Sequence, residues 1–390
     1  MRPPIWTAPL ARSGARAGGA GAEEQTVMHF ARQEAAELAR LHTQLRDGTY
    51  RPQPVRRAWI PKPGSNERRP LGIPAVRDRV VQAALRHVLE PIFEPEFAAQ
   101  SYGFRPGRGA KDALRRVDPL LKAGHHWVVD ADLKSYFDTI PHERLLALVK
   151  ARVADGRVLA LVESFLRAGV LEEAKGWQPT ELGTPQGGVI SPLLANLYLD
   201  PFDHQMARAG WELVRYADDF VILCRSEAEA QAALSQVRAW VDEAGLTLHP
   251  EKTRIVDATQ RGGFDFLGYH FERGLKWPRA KSLQKLRAKL REKIPRQAGG
   301  SLKTVITGVN RTLRGWYGYF QHSHANVFPA VDGQVRRRLR SLLEKRRGHT
   351  RQGKGWAQNR WPNKWFAKHG LLSWAELHDY TRTIVKLRTH

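Results

Sequence analysis

The sequence is poor in cysteine and contains no long apolar run. Its single cysteine, Cys224, excludes internal disulfide bonds and any zinc site built from CxxC pairs. This cysteine lies in an apolar run, which predicts a buried strand thiol. No apolar run approaches the ~18 residues of a membrane-spanning helix, and residues 1–4 do not resemble the start of a signal peptide. We therefore expect a cytoplasmic protein with no membrane partner.

Acidic residues are also scarce relative to basic ones. The 390 residues include 63 Lys and Arg against 39 Asp and Glu, which gives a formal net charge of +24 and an isoelectric point near 10.5. Residues 281–390 alone hold 25 basic and 5 acidic side chains. A nearly neutral body followed by a strongly basic C-terminal third favours a nucleic-acid partner over a merely soluble basic surface.

Apolar periodicity gives an outline of the secondary structure. It predicts helices over 28–47, 80–93, 143–169, 226–245, 281–294, 301–320 and 334–347, and a short helix over 193–199 capped by Ser191. Apolar and β-branched runs predict a hairpin with a loose tip over 53–78, a buried strand over Trp127–Asp132, and a tight hairpin from 211–215 and 220–225. Residues 1–25 are expected to be poorly ordered. Residues 348–366 lack an apolar period and are expected to form a flexible basic segment or an RNA-contacting loop.

Two pairs of carboxylates carry the chemical information. Asp218 and Asp219 lie at the tip of the second hairpin, where an isolated Asp pair is usually a structural turn. Asp130 and Asp132 alternate with apolar residues on the predicted buried strand, so both point to one face of the sheet. Ionised aspartates there are costly unless a cation pairs with them, and Mg²⁺ prefers hard oxygen ligands. Two acidic strands that meet at one point would form a two-metal site for phosphoryl transfer.

An ordered set of motifs over roughly residues 48–347 resembles the group II intron reverse transcriptases, which are also called intron-encoded maturases. The motifs are, in chain order, IPKP at 60–63, RPLGIP at 69–74, SYGFRPG at 101–107, VDADLKSYFD at 129–138, GTPQG at 183–187, YADD at 216–219, LHPEKT at 248–253, FLGY at 266–269 and LRGW at 313–316. Each motif alone is weak, but the ordered set at the family's spacing is specific.

The resemblance implies an α+β right-hand polymerase. In this architecture fingers and palm, an antiparallel sheet with flanking helices, precede an α-helical thumb or maturase domain. The implied division is a short N-terminal remnant at 1–50, fingers and palm at 51–272, thumb at 273–347 and a basic tail at 348–390. The implied activity is RNA-directed DNA polymerisation, in which two Mg²⁺ ions assist transfer of dNTPs to the 3′-hydroxyl of a primer DNA. The implied RNA partners are the template and a group II intron RNA, and the oligomeric state stays open.

The resemblance also implies roles for individual residues. Asp132, Asp218 and Asp219 are the implied metal ligands, with Asp130 as the competitor of Asp132, and Lys252 is the implied general acid for the pyrophosphate leaving group. Phe137 would exclude a 2′-hydroxyl, unless it is simply a core residue. The other implied nucleotide contacts are Lys62, Arg69 or its neighbour Arg68, and Gln186. Candidates for nucleic-acid binding are Arg105, for which a structural role is an equal alternative, and the basic residues Lys281, Lys285, Arg314, Arg336 and Arg337.

Two departures from the family pattern bear on function. The N-terminal segment is shorter than the helical extension with which family members hold template and intron RNA, which weakens the expectation of intron specificity. No Cys/His set resembles an HNH endonuclease. The alternatives to an active polymerase are a non-enzymatic RNA-binding splicing cofactor and a reverse transcriptase recruited to phage defence. The intact YADD motif argues against the first, and the lack of a Val-Thr-Gly element after the palm argues against a retron-type enzyme.

Overall fold

The computed structural model describes residues 21, 25–61, 68–295, 299–349 and 355–380. The chain divides into two units, Met1–Val256 and Asp257–His390. The predicted disorder of residues 1–25 falls almost entirely outside the described residues. None of the helices in the described ranges is long and apolar enough to cross a bilayer.

The first unit contains both helices and strands. Its described elements are, in chain order, α1 (Val27–Arg32), α2 (Glu34–Arg46), β1 (Val55–Pro61), β2 (Arg68–Ile73), α3 (Val76–Phe93), α4 (Ala110–Lys122), β3 (Trp127–Asp132), α5 (Tyr136–Thr139), α6 (His142–Lys150), α7 (Gly156–Arg167), β4 (Val170–Glu172), β5 (Gly176–Gln178), α8 (Ser191–Arg208), β6 (Glu212–Tyr216), β7 (Asp219–Cys224), α9 (Glu227–Glu243) and β8 (Arg254–Asp257).

A four-stranded sheet in the order β6-β7-β3-β8 carries the acidic residues. The strand β3 has the predicted bounds, and its Val128, Val129 and Ala131 are completely buried. It runs antiparallel to β7, whose last residue, Cys224, is the buried thiol that the sequence predicts. Helices α8 and α9 pack against this sheet and form the main apolar core with it. This arrangement confirms the expected α+β fold with an antiparallel sheet and flanking helices.

A second four-stranded sheet, in the order β2-β1-β4-β5, contains the first predicted hairpin. Strands β1 and β2 pair antiparallel, from Arg56 opposite Ile73 to Pro61 opposite Arg68, and the hairpin tip at 62–67 lies outside the described residues. The hairpin ends earlier than predicted because Val76 already belongs to the apolar stripe that α3 buries.

Several predicted helices have different bounds in the structure. The helix predicted over 28–47 is divided into α1 and α2, and the helices predicted over 80–93 and 334–347 begin earlier, at Val76 and Val327. The helix predicted over 143–169 is divided into α6 and α7, because the Asp155 carboxylate accepts hydrogen bonds from the N–H groups of Arg157 (2.8 Å) and Val158 (3.2 Å) and so caps a new helix. Ser191, predicted as a cap, is instead the first residue of α8, and its Oγ accepts a hydrogen bond from Thr184 Oγ1 at 2.8 Å. The helix α8 continues to residue 208.

The second unit begins with a small sheet and continues as helices. Its described elements are β9 (Phe264–Phe266), β10 (Tyr269–Glu272), β11 (Leu275–Pro278), α10 (Ala280–Lys293), α11 (Leu302–Phe320), α12 (Val327–Arg346), α13 (Trp356–Arg360) and α14 (Asn363–Lys368). The three strands are ordered β11-β10-β9. The helices form a separate apolar core that includes Leu290, Leu313, Leu339 and Trp374.

The segment after residue 348 is more ordered, in its described part, than the sequence predicts. Residues 355–380 include α13 and α14, and the side chains of Trp361 and Phe366 are buried in the second core. The Arg340 guanidinium joins this segment to α12, donating from Nε to the Trp361 carbonyl at 2.9 Å and from Nη2 to Asn363 Oδ1 at 2.8 Å. The buried aromatic residues are single and widely spaced, so they produce no apolar period.

Candidate active site

The Asp218–Asp219 pair forms the tip of the β6–β7 hairpin. Tyr216 and Asp219 are the last paired residues of the hairpin, and Ala217 adopts a left-handed φ of 61° to close it. Burial raises the pKa of the Asp218 carboxyl, and the nearby Asp132 carboxylate raises it further, while Arg69 and Lys252 lower it. Asp218 therefore lies within electrostatic reach of one acidic and two basic side chains from other segments.

Asp132 is nearer to the turn than its competitor Asp130. In the β3–β7 register Asp132 lies opposite Asp219, whereas Asp130 lies opposite Val221. The Lys252 ammonium forms a close ion pair with Asp132. The guanidinium of Arg254 pairs instead with Asp130, at 3.3 Å between Nη2 and Oδ2. The geometry therefore favours Asp132 as the carboxylate that acts together with the turn.

The segment that carries Lys252 is attached to the end of β3. The His249 N–H donates to the Asp132 carbonyl at 2.8 Å, and the Lys134 N–H donates to the Thr247 carbonyl at 2.8 Å. Half of the Lys252 side chain is exposed. The ammonium can therefore contact Asp132 and also reach a ligand bound in front of it.

Asp132, Asp218 and Asp219 come together at one edge of the sheet. Within the described parts of the chain, no three His, Cys, Asp or Glu side chains are already arranged around a metal-sized point. The donor set still fits a divalent cation, because carboxylates on adjacent strands supply hard oxygen ligands, and burial together with repulsion from Asp132 disfavours the charge on Asp218.

A cluster of three aromatic rings lies beside the turn. Phe137, in the short helix α5, is half-buried, and its ring meets the Phe104 ring edge-on at 6.3 Å between centroids. The Phe104 ring lies 6.5 Å from the Tyr216 ring. Phe104 has a positive φ of 59° and is 46% exposed. Sequence reasoning assigned no role to Phe104, and its position inside the SYGFRPG motif is the signal that could have suggested one.

The glycine-rich loop that holds Gln186 is hydrogen-bonded to both β2 and α5. The Gly72 N–H donates to the Gln186 carbonyl at 2.7 Å, and the Thr184 N–H donates to the Phe137 carbonyl at 2.7 Å. Gly187 has a φ of 117°, and a Cβ at this position would lie 2.4 Å from the Gly72 carbonyl oxygen. The loop therefore needs glycine to bring the Gln186 backbone this close to β2.

The basic residues of β2 differ in their relation to the turn. Arg68 and Arg69 are neighbours on a strand, so their side chains point to opposite faces of the sheet, and both are exposed. The charge of Arg69 lowers the pKa of Asp218, which makes Arg69 the better candidate for a nucleotide contact. Lys62 lies outside the described residues.

The contacts of Arg105 favour its structural alternative over the predicted contact with nucleic acid. Its side chain is buried, and the guanidinium donates to Glu94 Oε1 at 2.9 Å and to the carbonyls of Ala98 and Ser101 at 2.7 and 3.0 Å. A further bond reaches the Glu94 carbonyl at 3.2 Å. With these partners Arg105 holds the loop that precedes α4, and its charge does not face solvent.

The predicted nucleic-acid contacts of the second unit lie on three of its helices. Four of these side chains are exposed: Lys281, Lys285, Arg314 and Arg337. Arg336 is half-buried and lies 4.0 Å from Asp332 on the same helix. The exposed residues are thus available to a phosphate backbone, whereas Arg336 is partly engaged within α12.

The chain is similar to several known proteins and families. The family model "Reverse transcriptase (RNA-dependent DNA polymerase)" matches residues 60–271, and "Group II intron, maturase-specific domain" matches residues 283–369. The Escherichia coli K12 protein YkfC is 35% identical over 314 residues, which cover 69% of this chain and 81% of YkfC. The group II intron-encoded protein LtrA of Lactococcus lactis is 44% identical over 169 residues, which cover 43% of this chain and only 28% of LtrA. A structure of Candida albicans telomerase with a telomeric RNA fragment aligns with a TM-score of 0.46 and 12% identity, over 86% of this chain and 65% of that chain.

Proposed function

This chain belongs to the reverse transcriptase family, the RNA-dependent DNA polymerases, and carries the maturase-specific domain of group II introns; from that premise we propose a two-metal polymerase reaction. The protein copies RNA by adding dNTPs to the 3′-hydroxyl of a primer DNA, and it binds group II intron RNA. The observation that carries the proposal is the convergence of three carboxylates at one sheet edge. Asp132 lies opposite Asp219, and Asp218 is within electrostatic reach of Asp132 and of two cationic side chains, Arg69 and Lys252.

The three carboxylates and Lys252 divide the chemical work in this proposal. Asp132, Asp218 and Asp219 would hold two Mg²⁺ ions, which would stabilise charge on the attacking and leaving oxygens. Lys252 donates a proton to the departing pyrophosphate. Its ion pair with Asp132 and its half-exposed side chain support this role, because the ammonium is already beside the carboxylate edge where the phosphates would lie.

The surrounding residues bind and select the nucleotide. Arg69 provides a guanidinium that can bind phosphate oxygens in a bidentate manner, and Lys62 is proposed to assist it. Phe137 blocks the space of a 2′-hydroxyl, with Phe104 against its edge to keep the ring in place. Gln186 contacts the nucleotide or the template from the loop bonded to β2.

The intron-binding role rests on the C-terminal unit. The match to the maturase-specific domain and the excess of basic residues after residue 280 support RNA binding there. The segment aligned with LtrA spans less than a third of that protein, so splicing activity is a proposal in its own right. A non-enzymatic splicing cofactor is the second candidate, and the same domain match supports it.

The experiment that tests the polymerase proposal compares two aspartates of one strand. Purified protein is assayed for dNTP incorporation on a primed RNA template with Mg²⁺, beside Asp132→Asn and the matched control Asp130→Asn. We expect Asp132→Asn to abolish extension and Asp130→Asn to retain most of it. Equal losses in the two variants would contradict the site assignment. No incorporation by the wild type, with RNA binding intact, would favour the splicing cofactor.

A further inference from the structure

A buried ionic network lies behind the Asp218–Asp219 turn and has no role in the reaction proposed above. Arg215, on β6, and Asp203, on α8, are 1% and 0% exposed. The guanidinium donates from Nε and Nη2 to the two carboxylate oxygens of Asp203, at 2.7 and 2.5 Å. A buried ion pair is often no more stabilising than an apolar pair of the same volume, so the network calls for an explanation other than stability.

One of the other contacts of Arg215 is directed at the turn. Its Nη1 donates to the Ala217 carbonyl at 2.8 Å, and its Nη2 donates to Ser101 Oγ at 2.8 Å. Ala217 has a left-handed φ of 61°, a conformation that is strained for a residue with a side chain. The Ala217 carbonyl belongs to the peptide that leads into Asp218. Fixing that peptide therefore fixes the direction in which Asp218 leaves the turn.

The chain around Gly103 supports the turn from a second side. The Arg215 N–H donates to the Gln100 carbonyl at 2.9 Å, so this segment runs along β6. A Cβ on Gly103 would lie 2.3 Å from the Ala217 nitrogen, so only glycine permits the approach. Asn196 links the segment around Gly103 to Arg215, because its Nδ2 donates to the Gly103 carbonyl at 2.8 Å and its Oδ1 accepts from Arg215 Nη1 at 3.2 Å.

We propose that Arg215 is a positioning residue, which holds the turn through the Ala217 carbonyl so that Asp218 and Asp219 face a divalent cation. The inference rests on the function proposed above and extends it to a residue outside the motif's carboxylates. Lysine at position 215 would keep a positive charge opposite Asp203. A single ammonium cannot, however, keep the bidentate pair and the contact with Ala217 at the same time.

Direct cation binding tests the proposal without relying on catalysis. Binding of Mn²⁺ to the full chain, with no nucleotide or nucleic acid, is measured by electron paramagnetic resonance. We expect Arg215→Lys to weaken Mn²⁺ binding about ten-fold and to lower kcat for primer extension while the KM for dNTP changes little. Ser101→Ala removes only the bond between its Oγ and Arg215 Nη2, so we expect a smaller loss of Mn²⁺ affinity.

A control variant separates positioning from stability. Tyr50→Phe removes the buried hydrogen bond to Asp78, 2.6 Å in length, in the same unit. It should lower the melting temperature and leave Mn²⁺ affinity unchanged. Assays are run at a temperature at which every variant compared is folded.

The outcomes distinguish this inference from the proposed function. Wild-type Mn²⁺ affinity in folded Arg215→Lys and in Ser101→Ala overturns the positioning role. If Arg215→Lys does not fold, Ser101→Ala decides: a weakened affinity supports the role and an unchanged affinity overturns it. A wild-type protein that neither binds Mn²⁺ nor extends a primer contradicts the proposed function itself, and the inference then fails with it.

Discussion

The substitution Gly187→Ala tests the glycine-rich loop that brings Gln186 to β2. A Cβ at residue 187 would lie 2.4 Å from the Gly72 carbonyl oxygen, whereas ordinary contacts begin at 3.4 Å. The loop or the strand must therefore shift. This shift would most directly affect the hydrogen bond of 2.7 Å from the Gly72 N–H to the Gln186 carbonyl. The φ of 117° adds backbone strain of about 1–3 kcal/mol for a residue with a side chain.

The strain converts into an expected kinetic effect. If the loop moves away from β2 to relieve the strain, the conformation that binds dNTP becomes less favourable by about 1–3 kcal/mol. Its population then falls, and the KM for dNTP rises about 5- to 140-fold. Steady-state primer extension on an RNA template separates KM from kcat. The matched control is Gly176→Ala, where φ is 70° but no atom lies within 4 Å of the new Cβ. Equal KM values in the two variants would refute the role assigned to the loop.

Three further predictions address sugar selection, stability and RNA binding. Phe137→Ala should admit ribonucleotides in competition assays with dNTPs, and unchanged discrimination would remove the steric role of the ring. Asp218→Asn should raise the melting temperature of the metal-free protein at neutral pH. The reason is that the folded-state pKa of Asp218 is raised. Its ionisation therefore lowers the free energy of unfolding at pH values above the ordinary pKa of Asp, and Asp218 has no such effect at pH values below it, where it is protonated in both states. A gain in melting temperature that persists in strong acid would contradict this reasoning. RNA affinity should fall steeply with salt, and replacing both Lys281 and Lys285 with Ala should reduce the slope of log affinity against log salt by about 1 to 2, whereas an unchanged slope would exclude these lysines from phosphate contact.

Local patterns in the sequence were sufficient to predict β3, β6 and β7, but not β8, of the sheet that carries the acidic residues. The run over Trp127–Asp132 is apolar apart from its two aspartates, and both of its ends agree with the structure. The hairpin that carries Asp218 and Asp219 follows from two β-like runs around a short connection. The common sheet face of Asp130 and Asp132 follows from strand alternation. Which of these two aspartates lies nearer to the turn depends on the register between β3 and β7, and a local sequence pattern does not determine that register.

Contacts between distant segments account for what the sequence did not predict. The partners of Arg105 and Arg215 lie up to 114 positions away, so the sequence cannot distinguish a buried arginine from one that binds phosphate. The division between α6 and α7 depends on a single capping carboxylate, Asp155. The order after residue 355 depends on isolated aromatic residues such as Trp361, which meet the second core without forming a periodic stripe.

The most direct test of the central claim is Mg²⁺-dependent dNTP incorporation on a primed RNA template by the wild type and by Asp218→Ala. RNA binding is measured on the same preparations. The account predicts extension by the wild type alone, with RNA bound equally well by both proteins. Extension retained by Asp218→Ala would contradict the claim that the carboxylates at this sheet edge carry the polymerase reaction.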